Sequence, residues 1–183
     1  MQFVESDCFG EFGNKPAKIR IERPKLKGHP MAFELASSAF QRNGAIPKEH
    51  TCDGADVSVP LNWKNSPERT KAFALVVDDP DAPRGTWVHW VLYDLPSDMR
   101  ELPAGIGHEA TLENGARQGK NDFGKIGYGG PCPPGGPAHH YHFKLYALDR
   151  PTGLQPKATK QQVLGAIKGH VLAEAELVGT YKR

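Results

Sequence analysis

The stretch His139-His-Tyr-His-Phe-Lys-Leu-Tyr-Ala-Leu148 alternates between apolar and polar side chains, and this alternation decides the fold class. Successive side chains of a β-strand point to opposite faces of the sheet, so a period of two residues is typical of a half-buried strand. One face would carry Tyr141, Phe143, Leu145 and Ala147, and the other His140, His142, Lys144 and Tyr146. The stretch therefore predicts a strand with one side in a hydrophobic core.

Two earlier segments predict further strands. Phe73-Ala-Leu-Val-Val77 is a short apolar run that ends at Asp78-Asp-Pro-Asp-Ala-Pro83, whose prolines cannot continue a central strand. Trp87-Val-His-Trp-Val-Leu-Tyr93 is apolar or aromatic on both faces, as expected for a strand inside a sandwich. Simple alternation places His89 on one face together with Trp87, Val91 and Tyr93.

One helix is predicted at about residues 159–171, because Thr159-Lys-Gln-Gln162 fits a capping box and apolar residues follow at helical spacing. The alternation that follows favours a last strand from about Glu174 onward. Long turns are expected from the 20 glycines and 16 prolines among 183 residues. The sequence thus predicts a mainly β fold with sandwich character and few helices.

Composition and charge argue against several classes of protein. Hydrophobic residues make up 38% of the chain, which is too many for a disordered protein, and no stretch approaches the roughly 18 apolar residues of a membrane-spanning helix. The net charge of +2 comes from interspersed basic and acidic residues, so no nucleic-acid partner is expected.

The three cysteines, Cys8, Cys52 and Cys132, lie far apart and form no C-x-x-C motif. Neither a disulfide framework nor a cysteine zinc site is therefore expected. We interpret the cysteines as three buried or idle thiols in a reducing compartment. Because the N-terminus also lacks the pattern of a secretory leader, a cytoplasmic location is expected.

Residues 1–30 differ from the rest and are predicted to be an N-terminal extension, with the main domain at 31–183. Glycines and prolines punctuate the segment, which carries six lysines and arginines. Its alternating Lys18-Ile-Arg-Ile-Glu22 could add an edge strand. The alternatives are a partly ordered tail or a true start at Met31.

Two segments carry the most concentrated polar chemistry. One contains Asp78, Asp79, Asp81 and, shortly after, His89; the other is the glycine- and proline-rich loop 127–137, which leads into the histidines of the 139–148 strand. Backbone amides of Gly129 and Gly130 could surround an anion, and an aspartate beside a histidine would fix its tautomer and raise its pKa. Together these parts predict an anion pocket. Taken singly, each has a structural alternative: a proline-locked turn, a satisfied sheet histidine and a stiff surface loop.

Five motifs in order resemble the phosphatidylethanolamine-binding protein family, especially its bacterial Raf-kinase-inhibitor-like branch. They are Thr51-Cys-Asp-Gly-Ala-Asp-Val-Ser58 with Pro60-Leu-Asn-Trp63, Asp78-Asp-Pro-Asp-Ala-Pro83, Trp87-Val-His-Trp90, Gly127-Tyr-Gly-Gly-Pro-Cys-Pro-Pro134 with His139-His-Tyr141, and Leu172-Ala-Glu-Ala-Glu-Leu-Val-Gly-Thr-Tyr181. The resemblance runs from about Phe33 to Arg183. Two positions depart from the family pattern: His140 stands where arginine is usual, and Val59 where a first proline is usual.

The resemblance implies a mostly β fold with a central antiparallel sheet and an anion pocket near one end of it. Its ligand-binding residues would be Asp79, Asp81, Pro83, Trp87, His89, Gly129, Gly130, Pro131, His139 and Tyr141. No cofactor is implied. Histidine in place of arginine at position 140 would weaken pairing with a carboxylate or phosphate there, because histidine is only partly charged at neutral pH.

The leading functional hypothesis is a module that binds a phosphate-bearing small ligand or a phospholipid head group, and through it regulates or inhibits a kinase or another protein partner. The resemblance to bacterial relatives also favours a homodimer. An alternative is a hydrolase or metal-dependent enzyme acting on a phosphoester at the same histidines and aspartates. Against it, the sequence shows no nucleophile with a matched base and no zinc-protease spacing. A third alternative is a scaffold with a vestigial pocket.

Deleting residues 1–30 should cost only a small fraction of the free energy of unfolding, because the domain is predicted to begin at residue 31. Chemical denaturation of the full and shortened chains, followed by circular dichroism, tests this. A shortened chain that fails to fold would contradict the proposed domain boundary.

Overall fold

The computed structural model describes residues 31–183, so the predicted N-terminal extension and its edge strand lie outside the described residues. The strands are β1 Glu34–Ala36, β2 Leu61–Lys64, β3 Ala72–Asp79, β4 Trp87–Pro96, β5 Glu101–Leu102, β6 Arg117–Gln118, β7 His139–Leu148 and β8 Val171–Tyr181. A 3-10 turn spans Lys48–His50, and the helix α1 spans Lys160–Ile167. No described helix is long and apolar enough to cross a membrane.

The strands form two antiparallel sheets, which confirms the mainly β prediction. The larger sheet has the order β6-β4-β3-β7-β8 and the smaller one the order β1-β2-β5. Strand β3 is central in the larger sheet and is buried along its whole length, because β4 and β7 pair with its two edges and its faces are covered. This explains why its sequence is a continuous apolar run rather than an alternating one.

The main core lies between the two sheets. Inward side chains of the larger sheet include those of Phe73, Leu75, Phe143 and Leu145, and they pack with Leu35, Leu61 and Trp63 of the smaller sheet. The apolar face predicted for β7 is therefore the core face. Trp63 meets Phe73 edge to face with ring centroids 5.4 Å apart, a favoured arrangement for aromatic pairs.

Helix α1 covers the opposite face of the larger sheet. Its buried Val163 and Ile167 pack with Val91 and Tyr93 of β4, which makes β4 apolar on both faces as predicted. The capping box is present, since the Thr159 and Gln162 side chains each bond the other's backbone amide. The helix is shorter than expected and β8 begins earlier, at Val171. The reason is Gly169, whose φ of +81° turns the chain out of the helix.

A β-bulge in β4 corrects the predicted facing of His89. Val77 pairs with Trp90 and the next residue, Asp78, pairs with Val88, so His89 is an extra residue with no partner on β3. A bulge breaks the period of two and redirects the side chain. His89 consequently packs against Tyr141 on the core side of the sheet, whereas Val91 and Tyr93 face α1.

A disulfide joins Cys52 to Cys132, with their Cα atoms 5.4 Å apart, so the prediction of idle thiols is wrong for these two residues. Their separation of 80 residues gave no local signal of pairing. Cys8 lies outside the described residues. Disulfides are rare in the cytosol of mesophiles, so the thiol argument no longer supports the expected cytoplasmic location.

Replacing both cysteines, as Cys52→Ala with Cys132→Ala, should lower the free energy of unfolding by about 2–4 kcal/mol, because the crosslink restricts the unfolded chain. Urea denaturation with and without a thiol reductant measures this. The reductant should destabilise the wild type and leave the double variant unchanged; equal stability of the oxidised and reduced wild type would contradict the prediction.

Candidate functional site

A cavity of about 290 Å³ lies where the end of β3 meets the starts of β4 and β7. Because β3 lies between β4 and β7, the D-P-D-A-P motif at its end is next to both histidine-bearing strands. Six of the predicted ligand-binding residues line the cavity, namely Asp79, Pro83, Trp87, His89, His139 and Tyr141. We call this cavity the first pocket.

His139 and Asp79 form a buried pair in the first pocket. The Nδ1 of His139 lies 2.7 Å from the Asp79 Oδ2, and the two side chains are 7% and 5% exposed. The other Asp79 oxygen accepts the backbone amide of Asp81 at 2.8 Å. Both carboxylate oxygens are thus engaged, and a proton on Nδ1 leaves the Nε2 of His139 for a ligand.

His89 is held by a backbone carbonyl rather than by a carboxylate. Its Nδ1 donates to the Gly129 carbonyl at 2.6 Å, which leaves Nε2 as an acceptor. Burial lowers the pKa of His89 below the ordinary histidine value of 6.5, and this outweighs the opposing effects of the Gly129 hydrogen bond and Asp79. The predicted rise in the pKa of a pocket histidine is therefore not the net result at His89, although Asp79 acts in the predicted direction.

Two residues that line the first pocket each carry a buried donor atom that has no hydrogen-bond partner among residues 31–183. These atoms are the hydroxyl of Tyr141 and the Nε1 of Trp87. Burial raises the pKa of Tyr141, so its hydroxyl keeps its proton and remains a donor. Buried polar groups are nearly always hydrogen-bonded, so each orphaned donor needs an explanation.

The glycine amides do not serve the first pocket, contrary to prediction. The Gly129 amide donates to the His89 carbonyl at 3.0 Å, and the Gly130 amide donates to the Asp56 Oδ1 at 2.6 Å. A Cβ on Gly130 would stand only 2.5 Å from the His50 carbonyl oxygen, so the glycine permits close packing of two loops. Gly129 and Gly130 line a different cavity, and the Pro131 carbonyl accepts the amide of Cys52.

Asp81 lies outside the first pocket and pairs with His140. Its Oδ2 accepts the His140 amide at 2.9 Å and the His140 Nδ1 at 2.7 Å. These hydrogen bonds lower the pKa of the Asp81 carboxyl. The histidine that replaces the usual arginine therefore still pairs with a carboxylate, although half of its side chain is exposed.

Sequence reasoning missed several residues that line the first pocket: Ala82, Arg84, Phe123, Cys132, Pro133 and Pro134. Arg84 directly follows the D-P-D-A-P motif, and that adjacency could have identified it. Phe123 had no such signal, because the turn residues around it in Asn121-Asp-Phe-Gly124 mark a turn but do not show that this turn lies beside the pocket.

Comparison with known proteins matches this arrangement to one family. The sequence model described as phosphatidylethanolamine-binding protein matches residues 36–182, which is most of the chain. The chain belongs to the phosphatidylethanolamine-binding protein family.

Relatives in the family cover nearly the same region. A UPF0098 protein of Methanothermobacter thermautotrophicus is 48% identical over 151 residues, which cover 82% of this chain and 99% of that protein. A UPF0098 protein of Aquifex aeolicus is 47% identical over 153 residues, covering 82% and 89%.

Two solved structures of family members share the fold. A phosphatidylethanolamine-binding protein homologue from Chlamydia trachomatis is 39% identical with a TM-score of 0.76, covering 83% of this chain and 98% of that one. YbcL of Escherichia coli is 34% identical with a TM-score of 0.77, covering 82% and 98%.

The imidazole of His89 should titrate below the ordinary histidine range, because burial disfavours its charged form. Nitrogen-15 NMR of the rings, recorded from about pH 8 to about pH 5, should show a neutral ring with the proton on Nδ1 throughout most of that range. The spectrum of His89→Gln identifies the signal. A midpoint at or above the value of free histidine would contradict the proposed state.

Proposed function

We propose that this member of the phosphatidylethanolamine-binding protein family binds a phosphate group in the first pocket. The observation that supports this most directly is the pair of orphaned donors, the Tyr141 hydroxyl and the Trp87 Nε1, beside His139. The one carboxylate among the lining side chains, that of Asp79, already accepts two hydrogen bonds. The pocket therefore offers donors with little competing negative charge, which suits an anion.

The two histidines would play different parts toward the phosphate. His139 would direct Nε2 at the ligand while Asp79 holds Nδ1. His89 is neutral, and its Nε2 would accept a P–OH hydrogen from the ligand. Since this contact favours the protonated form of the ligand, phosphate affinity should rise as the pH falls toward the second pKa of a phosphomonoester, about 6.

Arg84 supplies the permanent positive charge at the mouth of the first pocket. Guanidinium groups pair with phosphate through several parallel hydrogen bonds, and their charge does not depend on pH near neutrality. Arg84 is exposed, so it would contribute to capture of the anion more than to the depth of binding.

We base a more specific proposal, for the ligand and its effect, on the family resemblance. The ligand would be a phosphate-bearing small molecule or a phospholipid head group, and its binding would regulate a protein partner such as a kinase. A phosphoester hydrolase is the second candidate, favoured by the buried His139–Asp79 pair, which resembles the base and its orienting group in hydrolases. It ranks lower because the lining cysteine, Cys132, is held in the disulfide.

Tyr141→Phe should weaken the binding of inorganic phosphate about 10- to 100-fold, because a hydrogen bond to a charged group contributes about 1.5–3 kcal/mol. Stability should hardly change, since the hydroxyl has no partner within residues 31–183. Calorimetric titration and urea denaturation measure the two effects.

Tyr93→Phe is the matched control. The Tyr93 hydroxyl donates to the Gln155 carbonyl and accepts the Ala158 amide on the far face of the sheet. This variant should lose stability and keep its phosphate affinity. Unchanged affinity in Tyr141→Phe, or equal losses in both variants, would contradict the proposal; release of phosphate from a monoester that disappears in His139→Ala would favour the hydrolase.

A further inference from the structure

The Cys52–Cys132 disulfide lies at the surface of the protein and in the wall of the first pocket. Both cysteine residues are exposed, and Cys132 lines the cavity. Exposed disulfides are reduced more readily than buried ones, and the regulatory disulfides of proteins belong to this exposed class. The phosphate contacts described above do not use this bond, so its position in the pocket wall needs a separate explanation.

Arg183 lies beside the sulfur of Cys132. Its Nη1 is 3.9 Å from the Cys132 Sγ, and its Nη2 is 3.1 Å from the Oδ1 of Asp53, the residue that follows Cys52. The Tyr181 hydroxyl donates to the other Asp53 oxygen at 2.9 Å, which helps to hold this arrangement. A neighbouring guanidinium stabilises a thiolate, and the more stable thiolate is the better leaving group in thiol–disulfide exchange. The geometry therefore favours Cys132 as the sulfur that leaves when a thiol attacks Cys52.

Residues 133–138 join Cys132 to the start of β7, and we call them the wall segment. Two prolines at its start line the first pocket. Three of its six residues are prolines, none has a polar side chain, and within the described part of the chain its backbone forms no hydrogen bond. A Cβ on either of its glycines would meet no atom within 4 Å. The position of the wall segment therefore depends mainly on its two ends, at Cys132 and His139.

We propose that the Cys52–Cys132 disulfide is a redox switch, which a dithiol reduces reversibly and whose reduction weakens phosphate binding in the first pocket. This inference rests on the proposed function, because phosphate is the ligand whose affinity changes. A thiolate of the dithiol attacks the Sγ of Cys52, the bond between the two protein sulfurs breaks, and Cys132 leaves as a thiolate beside Arg183. The second thiol of the dithiol then attacks the mixed disulfide and releases Cys52. Two electrons and two protons pass from the dithiol to the protein, and the dithiol becomes a disulfide.

Reduction frees one end of the wall segment without detaching the whole loop. Hydrogen bonds from the Gly130 amide to Asp56 and from the Cys52 amide to the Pro131 carbonyl still join the loop to the Thr51–Ser58 motif. The wall segment therefore stays near the first pocket but occupies its binding position for only part of the time. A site that is competent for a fraction of the time loses affinity in proportion to that fraction.

The phosphate affinities of the oxidised and reduced protein test the switch. Both are measured by calorimetric titration with inorganic phosphate, in a chain that carries Cys8→Ser so that no third thiol can exchange. Reduction with dithiothreitol should weaken binding about three- to tenfold, which corresponds to a wall segment in place for about a third to a tenth of the time. Equal affinities would overturn this inference but not the proposed function, whereas no phosphate binding by the oxidised protein would overturn both.

The variant with both Cys52→Ala and Cys132→Ala is the control for the reductant itself. It should bind phosphate as weakly as the reduced protein does, with or without dithiothreitol. A variant that binds as tightly as the oxidised protein would show that the crosslink does not set the affinity.

Circular dichroism and NMR distinguish a local switch from a crosslink on which the whole fold depends. The reduced protein should keep its β-sheet spectrum, because the loss of stability predicted for the double cysteine variant is smaller than the stability of an ordinary domain. Nitrogen-15 relaxation should show more motion at the amides of Gly135, Gly136 and Ala138 after reduction, and no change at Val77 in the central strand. Global unfolding on reduction, or wall-segment amides that do not change, would overturn the proposal.

Arg183→Gln tests the assignment of the leaving sulfur. Reduction by limiting dithiothreitol at neutral pH should become about two- to fivefold slower, because a unit charge about 4 Å from a thiolate in water changes its stability by up to about this factor. Lys182→Gln removes the same charge from the adjacent residue, which forms no ion pair within residues 31–183, and should leave the rate unchanged. Equal rates in the two variants would overturn the role of Cys132 as the leaving sulfur.

Discussion

The buried carboxylate of Asp79 is the constraint on which the rest of the site depends. Burying a carboxylate costs desolvation free energy, which hydrogen bonds must offset. Asp79 accepts them from His139 on a neighbouring strand and from the amide of Asp81 in the following loop. One side chain thus fixes the end of β3, the start of β7 and the path of the D-P-D-A-P loop. The structural alternative for this motif, a proline-locked turn with local aspartate hydrogen bonds, is partly correct, because the Asp81 amide donates to the Asp79 side chain. The same Asp79 side chain also contacts His139, which makes the turn part of the first pocket.

The Nδ1 atoms of His139 and His89 are already hydrogen-bonded to the Asp79 carboxylate and the Gly129 carbonyl, so the Nε2 atom of each ring is the one left for a ligand. His139 and His89 keep their Nε2 atoms, and Tyr141 keeps a hydroxyl whose raised pKa makes it a permanent donor. Neutrality of His89 follows from the same burial that builds the pocket. The site therefore combines hydrogen-bond donors with one acceptor, the Nε2 of His89. Such a set suits a protonated phosphate group better than a cluster of positive charges would.

The glycine- and proline-rich loop does structural work that its composition did not reveal. Gly130 lies against the 3-10 turn and bonds Asp56, while Cys132 is tied to Cys52 two residues after that turn. A hydrogen bond from the Cys52 amide to the Pro131 carbonyl adds a third connection between the loop and the Thr51–Ser58 motif. Cys132 lines both the first pocket and the cavity beside Gly129 and Gly130, so the attachment of the loop helps to set the shape of each cavity. These crosslinks, together with the sheet, hold the Thr51–Ser58 motif next to the glycine- and proline-rich loop.

The sequence by itself determined the fold class, the three long strands at 73–77, 87–93 and 139–148, and six of the residues that line the first pocket. The fold class and the strands follow from local pattern, since apolar periodicity and capping residues act over a few positions. The pocket residues follow from the order of motifs that resembles the family. Only the tertiary structure decided that His89 sits in a bulge, that Cys52 pairs with Cys132, that the glycine amides are already bonded, and that Phe123 divides two cavities. Each of these depends on which segments, distant in the chain, meet across the sheet. A bulge is set by pairing with a neighbouring strand and a disulfide by loop packing, and neither interaction leaves a periodic trace in the sequence.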